Sequence, residues 1–142
     1  MLKINPYLNF NGTAEEAFNF YKSIFGGEFA MLQRFKDTPA AGQTAVGEGD
    51  KLMHIALPIG SGVLMATDAL ESMGHKAIAG NNVTLTLSTD SKEEADRLFN
   101  GLSAGGKVGM PMKDEFWGAY FGMCTDKFGI QWMVSYEYPK QK

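Results

Sequence analysis

The chain has 142 residues, 44% hydrophobic and 20% charged, with a formal net charge of −3; this composition excludes wholesale disorder, and the length fits one ordinary domain. Thirteen Lys and Arg against 16 Asp and Glu leave no basic excess for nucleic acid or an anionic membrane, and no apolar run approaches the ~20 residues of a membrane span. One cysteine, Cys124, and an N-terminus (MLKINPYLNF) without the apolar stretch of a signal peptide give the expectation of a soluble cytoplasmic protein.

Residues 4–10 alternate in the manner of a half-buried strand, with Ile4, Leu8 and Phe10 on one face and Asn5, Tyr7 and Asn9 on the other. Thr13 and Glu16 then have capping-box spacing, in which side chains at both positions satisfy free backbone amides at a helix start. Ala17, Phe20, Tyr21 and Ile24 follow at helical period, and Gly26-Gly27 ends the helix. Strands are expected at 29–35, 52–58 and 62–68, the last two joined at Ile59-Gly60-Ser61-Gly62. The polar, Gly- and Ala-rich stretch 37–51 reads as a mobile loop, and residues 69–81 read as a linker.

From residue 82 the pattern returns. Val83, Leu85 and Leu87 alternate with Thr84, Thr86 and Ser88, and Ser91 with Glu94 repeats the capping box. Thr13-Ala14-Glu15-Glu16-Ala17 matches Ser91-Lys92-Glu93-Glu94-Ala95 at an offset of 78. Phe20-Tyr21 maps onto Leu98-Phe99 and Ile24 onto Leu102, while the glycine pair returns one residue later as Gly105-Gly106. A shared cap, a shared acidic pair and shared terminal glycines favour duplication over the chance likeness of two amphipathic helices. Further strands are expected at 107–113, 119–125 and 130–138, the last two joined by Asp126-Lys127-Phe128-Gly129. Met110-Pro111-Met112 reads as an edge or bulge, since Pro cannot donate to a ladder.

Each half therefore reads strand–helix–strand–strand–strand, with module one at about 1–68 and module two at about 82–138 of a single domain. A half of roughly 70 residues has a thin core alone. The expected α+β fold pairs two βαβββ modules, whose curved mixed sheets carry their helices outside and face each other around a cavity.

Several phrases together resemble one family: Pro6-Tyr7-Leu8-Asn9-Phe10-Asn11-Gly12, Ala14-Glu15-Glu16-Ala17, Phe20-Tyr21, Leu64-Met65-Ala66-Thr67-Asp68, Phe116-Trp117-Gly118 and Asp126-Lys127-Phe128-Gly129-Ile130-Gln131-Trp132. This is the PhnB-like branch, also described as 3-demethylubiquinone-9 3-methyltransferase-like, of the vicinal oxygen chelate superfamily. That superfamily includes glyoxalases, bleomycin-resistance proteins and extradiol dioxygenases. The resemblance spans nearly the whole chain and implies a glyoxalase-like fold and a homodimer, with no settled activity. The sequence has no strand followed by a Gly-rich loop and helix of the kind that binds S-adenosylmethionine. Superfamily enzymes hold a divalent metal by ligands on the first and last strands of each module. The resemblance places the equivalent positions near Asn5, Ala66, Asn82 and Met133. Asn is a weak ligand, Ala none, and a thioether prefers soft metals, so the usual metal site is not expected.

The catalytic candidates are His54 and Asp68. His54 reads equally as a hydrogen-bonded strand histidine and as a general base or ligand anchor whose tautomer is fixed by Asp68, at the end of the facing hairpin. Asp68 also suits a turn or cap at the start of the linker. His75 reads as a solvated loop residue. By alternation Tyr7, Asn9, Thr84 and Met133 face the expected cavity. Glu115 and Trp117 stand at one end of it, Trp117 alternatively packing in a core or interface. Cys124 reads as a buried, inert thiol, and no G-x-S-x-G, Walker or C-x-x-C motif occurs. The function expected is the metal-free binding of an unidentified small molecule between the sheets, against Met and aromatic walls that accept many shapes. The alternatives are a metal-dependent isomerase, lyase or dioxygenase with an atypical ligand set such as His54, Asp68 and Glu115, or an inactive dimeric interaction module.

Overall fold

A computed structural model describes residues 2–139. It divides into two compact units, Met1–Ile78 and Ala79–Lys142. The first unit contains β1 (Tyr7–Phe10), α1 (Ala14–Phe25), β2 (Met31–Arg34), β3 (Leu52–Ile59) and β4 (Gly62–Asp68). The second contains β5 (Leu85–Ser88), α2 (Lys92–Ser103), β6 (Lys107–Glu115), β7 (Ala119–Thr125) and β8 (Gln131–Glu137). Both sheets are mixed. Their strand orders are β1-β4-β3-β2 and β5-β8-β7-β6, and the first and last strands of each module pair in parallel. The α+β class and the strand–helix–strand–strand–strand order of each module stand as read from the sequence. No helix among the described residues is long and apolar enough to cross a membrane.

Register decides which face of each sheet meets its helix. Leu8 pairs with Ala66 and Phe10 with Asp68, while Ile55 pairs with Ala66 and Leu57 with Leu64. Because side chains alternate along a strand, Phe10, Ile55, Leu57, Leu64 and Ala66 share one face, and all are buried. They lie beneath Ala14, Ala17, Phe18, Tyr21 and Ile24 of α1. In the second unit Cys124, Trp132 and Val134 occupy the equivalent face beneath Ala95, Leu98, Phe99 and Leu102 of α2. Close approach there depends on Gly122: a Cβ at that position would sit 2.6 Å from Met112 Sδ and 2.9 Å from Phe99 Cε1.

Several boundaries differ from expectation. β1 starts at Tyr7, not Ile4, which is 91% exposed. Pro6 has no amide to donate, although its carbonyl still accepts from Met65 N at 3.0 Å. Likewise β5 starts at Leu85 and leaves Val83 exposed. β2 ends at Arg34 because the chain turns into a 3-10 turn, Phe35–Asp37, that buries Phe35. The stretch expected as a mobile loop has its own order. It contains a 3-10 turn over Pro39–Gln43 and a backbone bond from Lys36 N to Gly49 O of 3.0 Å. A 2.7 Å ion pair links Lys36 to Asp50. β6 runs to Glu115, and its register shifts on both sides of Met110, as the Met-Pro-Met stretch foretold.

The helix caps differ more deeply. Ser91 Oγ accepts from Glu94 N at 3.1 Å, and Glu94 Oε1 accepts from Asp90 N at 3.1 Å, so the second box forms with its return bond one residue earlier. Thr13 makes no side-chain cap. Asp68, from the last strand of the module, takes that role: its carboxylate accepts from Ala14 N at 2.9 Å and from Leu52 N at 2.8 Å.

Candidate functional site

The sheet faces opposite the helices carry most of the residues singled out from the sequence. In the first unit Tyr7 pairs with Met65 and Asn9 with Thr67, all on the face away from α1. His54, one residue before the buried Ile55, points to the same side. Its ring stacks on Tyr7, with centroids 5.7 Å apart and planes inclined by 26°, and the Tyr7 hydroxyl lies 3.4 Å from His54 Nδ1.

The expected His54–Asp68 couple does not form. Asp68 stands across from Phe10, so its side chain turns to the α1 face, where it is 3% exposed and both oxygens accept backbone amides. Strand alternation alone separates the two side chains. The hydrogen-bonding partner of the imidazole is a tyrosine hydroxyl, which can donate to the ring nitrogen or accept from it.

Beside this face lies a pocket of about 290 Å³. Its apolar wall is Phe35, Met53, Leu70 and Met73, and its polar groups include Asn9, Thr67 and His75. Met53 comes from β3 and the rest of the wall from two loops, which hydrogen bonds tie down. Glu48 Oε1 accepts from Ser72 Oγ at 2.5 Å and from Ala45 N at 2.7 Å, and these donors hold the Glu48 carboxyl below the usual carboxylate range. Asn11 exchanges two bonds with the Ala77 backbone, at 2.9 and 2.8 Å. Arg34 grips both Glu15 oxygens, at 2.9 and 2.6 Å, and donates to Asp50 O at 2.9 Å, which anchors the other loop to α1. The guanidinium keeps the Glu15 carboxyl low.

Sequence reasoning missed most of this pocket. His75, read as a solvated loop residue, stands on its wall, and Phe35, Met53, Leu70 and Met73 were not singled out. The available signal was Leu70 and Met73, large apolar side chains inside an otherwise polar linker, since these need something to pack against.

The remaining candidates belong to the second unit. Met133 pairs with Thr86 and Met123 on the face away from α2, and Thr86 Oγ1 lies 3.5 Å from Met133 Sδ. Thr84 immediately precedes β5. Trp117 is 54% exposed, with its ring edge-on to Phe116 and Phe121 at 5.1 and 5.6 Å. Glu115 ends β6; its Oε1 is buried without a hydrogen bond, and Lys113 Nζ lies 3.8 Å away. Burial pushes the Cys124 thiol up to about 11, so little of it is thiolate near neutrality.

Of the four positions implied for a metal, Ala66 is misplaced by one residue. It faces α1, so Met65 or Thr67, one residue to either side, shares the face that Met133 occupies in the other sheet. The slip arises because two residues separate β3 from β4 but five separate β7 from β8, so counting on from the turn misaligns the last strands. Asn5 Oδ1 is engaged by Val63 N at 3.2 Å. With Met65 or Thr67 in place of Ala66, the set contains no carboxylate and no imidazole, and it does not fit a hard or borderline divalent ion. Among the described residues no three His, Cys, Asp or Glu side chains gather where they could hold a metal ion.

Comparison with known proteins agrees with this architecture. Residues 2–135 match the family described as 3-demethylubiquinone-9 3-methyltransferase. The protein YjdN of Escherichia coli is 30% identical over 94% of this chain and 95% of its own length. The crystal structure of protein PA1353 from Pseudomonas aeruginosa is 42% identical, with a TM-score of 0.85 over 96% of this chain and 98% of that one. The PhnB protein from Bacillus cereus is 26% identical, with a TM-score of 0.77 over 95% and 99% of the two chains. A glyoxalase/bleomycin resistance protein from Albidiferax ferrireducens, 17% identical, shares the fold with a TM-score of 0.63 over 94% and 97%. The chain therefore belongs to the 3-demethylubiquinone-9 3-methyltransferase (PhnB-like) family and shares the fold of glyoxalase/bleomycin-resistance proteins.

Proposed function

We propose that this protein is a cytoplasmic homodimer that binds a small organic molecule, without the divalent metal of its superfamily. The observation that carries the reading is the pocket of the first unit: about 290 Å³, mostly apolar, with Asn9, Thr67 and His75 as polar contacts. An apolar cleft with a few polar groups is the usual form of a small-molecule site, and this volume stands at the low end of the usual range of ~300–1,000 Å³. The neighbouring Tyr7–His54 pair offers a flat surface and a hydroxyl for a planar ligand. Methyl transfer is not part of the proposal. Neither sheet is doubly wound and parallel, and no Gly-rich strand-to-helix turn is present among the described residues to hold a nucleotide-like cofactor. Dimer formation is supported by the edge strands β2 and β6, which expose Met31, Leu32 and Val108.

NMR titration of the whole protein with planar aromatic acids, phenols and quinones tests the site. Amide signals of Asn9, Thr67 and residues 70–75, with the His54 imidazole, are expected to move together and to saturate. If every probe left those signals unmoved, or moved only signals of the second unit, the proposal would be wrong. Light scattering on the eluting protein tests the dimer, and a monomer mass across the micromolar range overturns it.

A further inference from the structure

The methionines of the second sheet form a pattern that the small-molecule reading does not use. Met110 of β6 pairs with Met123 of β7, and Met123 pairs with Met133 of β8. The three therefore stand in one row across three adjacent strands, on the face away from α2. Directly opposed side chains in neighbouring strands have Cβ atoms about 5 Å apart. Methionine is unbranched and turns about three bonds, so the two outer thioethers can lean toward the central one. Met110 is exposed at the sheet edge, and Met123 and Met133 are half-buried. Thr86 Oγ1, at 3.5 Å, donates to Met133 Sδ and leaves that sulfur a second lone pair.

We infer that Met110, Met123 and Met133 form a three-thioether site for a soft monovalent cation, Cu(I) or its analogue Ag(I). Neutral thioethers select soft ions and bind hard divalent ions poorly. The neighbours on the same face suit this choice. Phe121 and Thr125 flank Met123, Gln131 and Ser135 flank Met133, and none supplies a carboxylate or imidazole. Lys107, on the same face of β6, repels a divalent ion more than a monovalent one, while Lys113 on that face is paired with Glu115 at 3.8 Å. Cys124 lies on the opposite, helix-covered face and takes no part. Thr86 is a positioning residue that orients the sulfur of Met133.

The test uses the full chain labelled with carbon-13 at its methionine methyl groups and titrated with silver nitrate in chloride-free buffer. One equivalent is expected to shift three of the nine methyl signals, those assigned to Met110, Met123 and Met133 by single Leu substitutions. Met123→Leu weakens Ag(I) binding by at least about tenfold. Met112→Leu, on the α2 face against Gly122, leaves it unchanged. Met110→Leu, at the exposed edge strand, serves if Met123→Leu does not fold, and is expected to weaken binding likewise. Anaerobic competition with bicinchoninate is expected to show one Cu(I) bound per chain. The inference is overturned if Ag(I) shifts methionines of the first unit equally, if Met123→Leu or Met110→Leu binds within about twofold of the unaltered protein, or if Cys124→Ser abolishes binding.

Discussion

The two modules start their helices by different means. In module two the cap is local: Ser91 and Glu94 serve amides within four residues of themselves. In module one the cap is tertiary. Asp68, 54 residues beyond the helix start in sequence, accepts the first amide of α1 and the first amide of β3 at once. Module two also buries one carboxylate, Asp126, but in its β7–β8 turn. There it accepts from Phe128 N at 2.8 Å, Ile130 N at 3.1 Å and Trp132 Nε1 at 2.8 Å. A buried carboxylate needs several donors to offset its lost hydration, and each module supplies them at a different place. The start of α1 thus depends on a completed sheet, whereas α2 can be capped before its sheet closes.

Substituting Asp68 is the strongest way to break this contrast. Asp68→Ala leaves two buried amides without acceptors and is expected to cost about 3–4 kcal/mol in urea unfolding. Asp68→Asn, which keeps one acceptor oxygen, costs about half of that. An Asp68→Ala variant as stable as the unaltered protein removes the tertiary cap from the account.

Alkaline pH probes module two selectively. Cys124 pairs across from Trp132 beneath α2, whereas the helix-covered face of β3 in module one carries the apolar Ile55 and Leu57. Burial raises the folded thiol to about 11 from an ordinary 9.0. Above pH 9 the unfolded chain releases a proton that the folded chain retains. Stability is therefore complete below pH 9 and declines as pH rises to about 11, by up to about 2–3 kcal/mol. Unfolding of the unaltered protein and of Cys124→Ala at pH 8 and pH 10.5 checks this, since the decline is expected to be smaller in the variant.

The caps themselves give a smaller and sharper test. Ser91→Ala is expected to cost about 1 kcal/mol, while Thr13→Ala, whose side chain makes no cap, costs under about 0.5 kcal/mol. Equal losses would show that the two helix starts are alike after all.

Acid acts weakly on module one through Arg34 and Glu15. The folded carboxyl lies below its ordinary value, so the pair contributes above that value and is lost as pH falls through the folded one. Glu15 is partly exposed, and the contribution is expected to be under about 1 kcal/mol. Glu15→Gln should flatten that part of the pH–stability curve, as measured by thermal unfolding between pH 3 and 6.

Much of the fold was legible because period and punctuation are local properties. The two helices share an offset of 78 and keep their boundaries, and α2 keeps its buried face, whereas α1 buries Phe18 where Phe20 was expected. The hairpin turns at Gly60-Ser61 and from Asp126 stand where the turn residues placed them. Strand parity put Tyr7, Asn9 and His54 on one face, and Met133 on the corresponding face of the other sheet. What parity did not reveal was partnership. Asp68 is separated from His54 because an aspartate paired with Phe10 must turn toward the helix. The pocket at His75 was hidden because Phe35, Leu70, Met73 and His75 come from segments outside the strands, without periodicity.

By itself, the order of residues determined that this protein is two copies of one module, which face of each strand is apolar, and where each helix begins and ends. These features repeat every two or 3.6 residues and need no distant contact to be read. Only the tertiary structure decided that Asp68 caps a helix instead of orienting a histidine, that His54 answers to Tyr7, and that three methionines stand in a row. Each depends on strand register, which is set jointly by the whole sheet and which a shift of one residue would reverse.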